Sequence, residues 1–231
     1  MFELIIANKN YSSWSLRPWV LMTTLQIPFQ EKLVAFGDGF ADPAFLRLAP
    51  TRRVPVLVDG EDSIWDSLAI VEYLAERHQG VWPQDARARA WARCAAAEMH
   101  SGFSTLRTVC PMNCGLRVAL HVIDPSLQAD LDRIGALWAD GLARFGGPWL
   151  GGDAFGAVDA FFAPVAFRLQ TYGVNVGGPG DAYAARLRQL PAMQQWYAAA
   201  LAEPWRDRAH EADSLAVGII SNDMRGTSST D

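Results

Sequence analysis

Cysteine is scarce in this chain, and basic residues are outnumbered. Cys94, Cys110 and Cys114 are the three cysteines in 231 residues, too few for an even-numbered disulfide framework. The four histidines (His78, His100, His121 and His210) are scattered, with no HxxxH or Cys/His spacing, so no metal site is expected. Lys and Arg number 20 against 25 Asp and Glu, a net charge of −5. Chains that live on phosphate backbones carry a basic excess or stripe, so no nucleic-acid partner is expected. Apolar runs are interrupted well before the ~18 residues that a membrane span needs, so none is expected. The N-terminus lacks the basic, apolar and small-residue order of a secretion signal, and a reducing cytoplasm is the expected home. Apolar material, by contrast, is plentiful. Half the residues are hydrophobic and 19% are charged, the reverse of a disordered composition.

The pattern changes along the chain. LIIA (4–7) reads as a strand, Trp14 to Leu25 as a helix and EKLVAF (31–36) as a second strand. DPAFLRL (42–48) predicts a helix capped by Asp42 with Pro43 in the first position. VPVLVD, Gly60 and SIW (63–65) predict a hairpin about an Asp-Gly turn. SLAIVEYLAERH (67–78) has Leu68, Val71, Leu74 and Ala75 at helical spacing, which completes the order βαβαββα. After GVWPQD (80–85) the strands stop. Helical spacing governs 86–109, 125–145, 157–172, 181–189 and 191–202, so this half is expected to be all-α. The expected organisation is a domain at 1–79, a linker at 80–85, a helical domain at 86–211 and a polar tail at 212–231 that need not be ordered.

The first strand-to-helix junction, NKNYSSWSLRP (8–18), carries the most chemistry. A proline is cheap only in the first turn of a helix and costs ~3 kcal/mol further in. Pro18 therefore predicts a helix whose cap is Ser15 or later, with Ser12 and Ser13 in the loop ahead of it. Hydroxyls beside a helix N-terminus can stabilise an anion, although such a pair also serves as plain turn and cap chemistry. No GxSxG elbow surrounds them and no nearby histidine completes a hydrolase triad, so a donor to a bound anion is the natural functional reading. CPMNC (110–114) is not a CxxC redox motif, and both of its cysteines are expected to be packing residues.

Three features in order carry a resemblance: the serine cluster, the pair Val54-Pro55 before strand three, and Asp66-Ser67 at the start of helix three. Together they resemble the soluble glutathione transferases, with a thioredoxin-like N-terminal half and a helical C-terminal half. SSWS-x-R (12–17) is similar to the SSCS-x-R motif of the zeta class, which includes maleylacetoacetate isomerases; Trp14 stands where that motif has cysteine.

The resemblance implies glutathione as co-substrate. Pro55 would be the family's cis-proline, turning the Val54 backbone toward the cysteinyl part of the tripeptide. Asp66-Ser67 would offer a hydroxyl and helix N–H groups to the γ-glutamyl carboxylate. Ser12 matches the first serine of the zeta motif and is the first choice for the thiol's partner, with Ser13 beside it and Tyr11 an alternative donor. A free thiol has a pKa of ~8.5, and each unit of lowering needs ~1.4 kcal/mol. One charge-assisted hydrogen bond supplies ~1.5–3 kcal/mol. A serine and a helix end could therefore bring the thiol near neutrality.

Arg17 matches the motif's arginine, or is a solvated or paired helix residue. Arg53 would meet a glycyl carboxylate, or is a surface charge. HSGFSTLR (100–107) is similar to a zeta-class stretch that points Arg107 into the cleft. Trp14, Phe36 and aromatic residues within 103–167 would line a hydrophobic substrate site. FGAVDAFFAPV (155–165) resembles the family's capping box, with Gly156 in place of Ser or Thr and Asp159 in a structural role.

The implied activity is conjugation of glutathione to small hydrophobic electrophiles by a homodimer. Alternatives are cis-trans isomerisation of the maleylacetoacetate type and a non-catalytic binding protein of the same fold. A disulfide reductase of the glutaredoxin type wants a cysteine at the first junction, and none is there.

Overall fold

The computed structural model describes residues 1–226. The N-terminal half runs β1 (Phe2–Ile6), α1 (Ser13–Thr24), β2 (Phe29–Leu33), a 3₁₀ turn (Asp38–Ala41), α2 (Pro43–Leu48), β3 (Val56–Asp59), β4 (Asp62–Trp65) and α3 (Ser67–Ala75). The strand order is β2-β1-β3-β4, with β1 and β2 parallel and the other pairs antiparallel. β1 is apolar through Leu4, Ile5 and Ile6 because both of its faces are covered. Leu4 and Ile6 pack with Leu16, Val20 and Ile70 of α1 and α3, while Ile5 packs with Val56, Phe45 and Ala49 on the α2 side. α2 starts as its sequence predicts: Pro43 opens it and the Asp42 carboxylate accepts the Ala44 amide at 2.8 Å. Gly60, at φ 61°, makes the left-handed turn of the β3–β4 hairpin.

α1 does not begin where Pro18 predicts. It starts at Ser13 with Ser12 in the cap position, which puts Pro18 at its sixth residue. The proline removes one helical N–H, and burial supplies the compensation. Leu16, Val20 and Leu21 are fully buried, and α1 packs on α3 and on two helices of the C-terminal half.

That half contains α4 (Ala86–Ser101), α5 (Ser104–Val109), α6 (Pro125–Phe145), α7 (Ala157–Tyr172), α8 (Pro179–Gln189), α9 (Pro191–Ala202) and α10 (Arg208–Val217). The single helix expected over 86–109 is two, broken where Phe103 takes the left-handed φ of 56°. The half is also not purely helical. β5 (Leu116–Leu120) and β6 (Gly218–Asp223) form an antiparallel ribbon, with Leu116 and Val118 buried in the main core. This overturns the expected tail: α10 crosses position 212 and β6 follows it. The rest of that expectation, 227–231, lies outside the described residues. Cys110 and Cys114 are free thiols buried in the core, and burial pushes both thiols up, Cys110 to about 12.

α7 is the axis of this half and packs on α1, α4 and α8. Its first turn holds the fully buried Asp159. The carboxylate accepts Gly156 N at 3.0 Å, Leu150 N at 3.0 Å and the Tyr183 hydroxyl at 2.7 Å. The reach back to the cap amide is therefore present, with no cap side chain opposite it. Burial raises this carboxyl to about 6 in spite of the three donors.

Asp159→Ala would leave two amides and a hydroxyl buried without their acceptor. At ~1–1.5 kcal/mol per stranded group, the lower part of the usual range, the expected loss is about 3–5 kcal/mol in urea unfolding. Asp159→Asn, which keeps an acceptor oxygen, should lose less; a loss under ~1 kcal/mol for the alanine variant would contradict the assignment. Because the folded pKa lies above the ordinary 3.8, this group's contribution is full below that value and is lost as pH rises through about 6.

Candidate active site

The loop after β1 is held from the opposite half of the molecule. Glu203, at the end of α9, accepts the Lys9 amide at 2.5 Å and the Asn10 amide at 3.2 Å. Trp196 of the same helix donates to the Lys9 carbonyl at 2.9 Å. The Asn10 side chain pairs with Asn113 at 2.9 Å and accepts the Gly115 amide at 2.9 Å. Within the loop, the Asn8 carbonyl accepts the Tyr11 and Ser12 amides, and the Asn8 side chain accepts Phe36 N at 2.8 Å. Little of this backbone is free to move, and it delivers Tyr11, Ser12 and Ser13 to a cleft between the halves.

The cleft has a volume of about 960 Å³. Ser12, Ser13, Trp14, Arg53, Val54, Pro55, Asp66, Ser67 and Arg107 all line it. Of the residues expected at a site from sequence, Arg17 does not, and neither does any aromatic residue within 103–167, where Phe103, Phe161, Phe162 and Phe167 belong to the core. Arg17 is buried behind the cleft, its guanidinium 4.1 Å from the Trp14 ring and 4.8 Å from Phe161, and it donates to Ser67 Oγ at 3.4 Å. That rules out the solvated alternative. Burial, with Arg107 and Arg168 nearby, lowers its pKa to about 9. Arg53 is exposed at the rim.

The Val54–Pro55 peptide is cis, and Val54 makes no backbone hydrogen bond among the described residues outside helices and strands. Asp66 caps α3 by accepting Leu68 N at 2.8 Å, which leaves the buried Ser67 as the first helical residue. Asp66 is thus the cap, and Ser67 Oγ is held by Arg17.

Tyr11 is occupied elsewhere. Its hydroxyl donates to Glu211 of α10 at 2.5 Å and accepts from Asp207 N and Arg225, each at 3.3 Å. Burial, then Glu211, raises this phenol to about 12. The C-terminal segment that engages it also walls the cleft. His210, stacked on Tyr11 and tilted against Phe36, and Asp213 both line the cavity. Arg225 holds the segment together through ion pairs to Glu211 and, at 2.7 Å, to Asp223.

Sequence reasoning missed Arg168, His210 and Asp213. Arg168 had a signal: it is the one charge after Asp159 in the long apolar run of α7. The other two had none, because they lie in the segment read as a tail or next to it.

Fold and cleft together define a thioredoxin-like half joined to a helical half around a shared site. The family model described as "Glutathione S-transferase, N-terminal domain" matches residues 11–77, and that of the C-terminal domain matches 84–199. The chain belongs to the glutathione S-transferase family. Glutathione S-transferase 1 of Dianthus caryophyllus is 32% identical over 165 residues, covering 66% of this chain and 71% of its own length. A probable maleylacetoacetate isomerase of Vibrio cholerae is 27% identical over 214 residues, covering 84% and 95%. Among solved structures, a theta-class enzyme of Xanthomonas axonopodis with glutathione bound matches with a TM-score of 0.63 at 25% identity, covering 85% of this chain and 96% of its own. A Burkholderia homologue, also with bound glutathione, has a TM-score of 0.65 at 22% identity, covering 86% and 97%. No described helix is long and apolar enough to cross a membrane.

The C-terminal segment should release in acid. Burial raises Glu211 and Asp223, but the hydrogen bonds from Arg225 outweigh it, and both carboxyls end below their ordinary values. Their contribution is therefore present above about pH 4.5 and is lost as pH falls through the folded values. Hydrogen exchange of amides 208–226 should accelerate below about pH 4, ahead of α7, and Arg225→Met should produce the same acceleration at neutral pH. Equal protection of both regions across that range would contradict the ion-pair lock.

Proposed function

We propose that the protein ionises the thiol of glutathione in this cleft and conjugates it to a small hydrophobic electrophile. The observation that carries the reading is the convergence of Ser12 and Ser13, Val54-Pro55 and Asp66-Ser67 on one cavity. In this reading the Val54 backbone pairs with the cysteinyl residue like an added strand. Ser67 and the free amides at the start of α3 take the γ-glutamyl carboxylate. Arg53 at the rim meets the glycyl carboxylate. A serine hydroxyl donates to the sulfur and favours the thiolate. The acceptor lies against Trp14, Phe36, Phe40 and Met112, held close to the thiolate so that attack is effectively unimolecular. A cytoplasmic homodimer without a metal is part of the same proposal.

One observation favours a second reading, isomerisation of an acidic cis-olefin by reversible thiolate addition. Arg107 and Arg168 line the cleft with Arg17 behind them, and among the described residues none has a carboxylate within ion-pair distance. Trp14 lies 4.1 Å from the Arg17 guanidinium and 5.1 Å from that of Arg107. Such a floor suits an acceptor that brings its own negative charge.

Calorimetry with glutathione, followed by turnover assays on chlorinated aromatics and on cis-dienone acids, tests both. Saturable binding at one site per chain is expected. Ser67→Ala should weaken it by about 10–100-fold, the loss of one hydrogen bond to a charged group. Absence of saturable binding by the unaltered protein would overturn the reading.

A further inference from the structure

The two serines at the cleft floor are not equivalent. Ser12 Oγ donates to Ser15 Oγ at 2.7 Å, and Ser15 Oγ also accepts the Ala7 amide at 3.2 Å. Ser15 is fully buried, so the Ser12 hydroxyl is already engaged by a partner inside the protein. Ser13 Oγ instead accepts, from Arg168 Nη2 at 3.2 Å. A hydroxyl that accepts from a cation keeps its own proton to give. Among the described residues nothing takes that proton, and Ser13 lines the cavity.

Arg168 reaches Ser13 from α7, across the boundary between the halves. It is 5% exposed. Its other acceptors are the backbone carbonyls of Arg107, at 3.4 Å, and Cys110. Its Nε has no partner among the described residues. Burial lowers its pKa to about 10, which leaves it charged at neutral pH. A buried guanidinium with no carboxylate beside it is costly unless an anion arrives.

We propose that Ser13, not Ser12, is the hydroxyl that holds the glutathione thiolate, and that Arg168 positions Ser13 and supplies the balancing charge. This rests on the glutathione reading above and goes beyond it, because the helical half then takes part in sulfur ionisation through Ser13. The thiol proton leaves to bulk solvent through the mouth of the cleft. Ser13 and Arg168 keep theirs, so one proton is released for each thiol ionised. Arg168 polarises the Ser13 O–H bond, which makes that hydroxyl a stronger donor to the sulfur. It is a positioning residue, since it acts on sulfur through Ser13.

The test is a pH titration of the thiolate absorbance of bound glutathione in the full-length protein, with calorimetry confirming occupancy. Ser13→Ala should raise the apparent thiol pKa by about one to two units, the effect of one charge-assisted hydrogen bond. Ser12→Ala should leave it within about half a unit of the unaltered protein. Arg168→Met should match Ser13→Ala, and the double variant should shift it no further than either single one. Arg168→Lys should recover part of the shift, which keeps the test decisive if the methionine variant fails to fold. A shift on Ser12→Ala but not on Ser13→Ala would overturn the assignment of the serine. A Ser13 effect unchanged in Arg168→Lys and Arg168→Met would overturn the role of the arginine. If the unaltered protein binds no glutathione in the calorimeter, the underlying reading falls as well, and that result is distinct because no titration can be recorded.

Discussion

The site depends on one buried carboxylate. Glu203 gathers the amides of Lys9 and Asn10, and by doing so fixes the loop that carries Tyr11, Ser12 and Ser13. The interaction is costly to build. Burial drives the Glu203 carboxyl upward, and two backbone donors and Lys9 oppose that drift. What it secures is registration between two halves that share one continuous apolar core. The sheet half supplies hydroxyls, a Val-Pro pair and a helix end, and the helical half decides where the hydroxyls stand. A cleft made this way is preorganised, with little left to order when a ligand arrives.

Positive charge is distributed against the usual rule. Exposed pairs such as Arg133 with Glu98 and Arg144 with Asp140 are neutralised at the surface, where such pairs contribute little. The buried guanidiniums of Arg17 and Arg168 have hydroxyls, carbonyls and aromatic faces as partners instead. Carbonyls and ring faces satisfy geometry while leaving most of the charge uncompensated. The result is a positive potential under the cleft floor, set by the fold before any ligand is present.

Local signals made the first half legible. Asp42-Pro43, Asp59-Gly60 and the apolar LIIA run each carry their meaning within a few residues, and βαβαββα follows from them. The start of α1 was not legible, because Pro18 obeys tertiary packing there rather than the isolated-helix rule. The β5–β6 ribbon was not legible either. Its strands are short, and Leu116 pairs with Asp223 far along the chain, so neither strand announces its partner. The same division runs through the site. Ser12-Ser13, Val54-Pro55 and Asp66-Ser67 are adjacent pairs at element ends and can be read as written. Arg168 and His210 enter only once α7 and α10 are folded against the first half.

The strap of α10 and β6 has a consequence for biosynthesis. Among the described residues it is the stretch synthesised last, yet His210 and Asp213 form part of the cleft wall. A nascent chain can therefore bury most of the shared core while the pocket still lacks one side. Ligand capture waits until the strap has been made and has docked, and a chain cut short before residue 208 would leave a folded body with an open cleft.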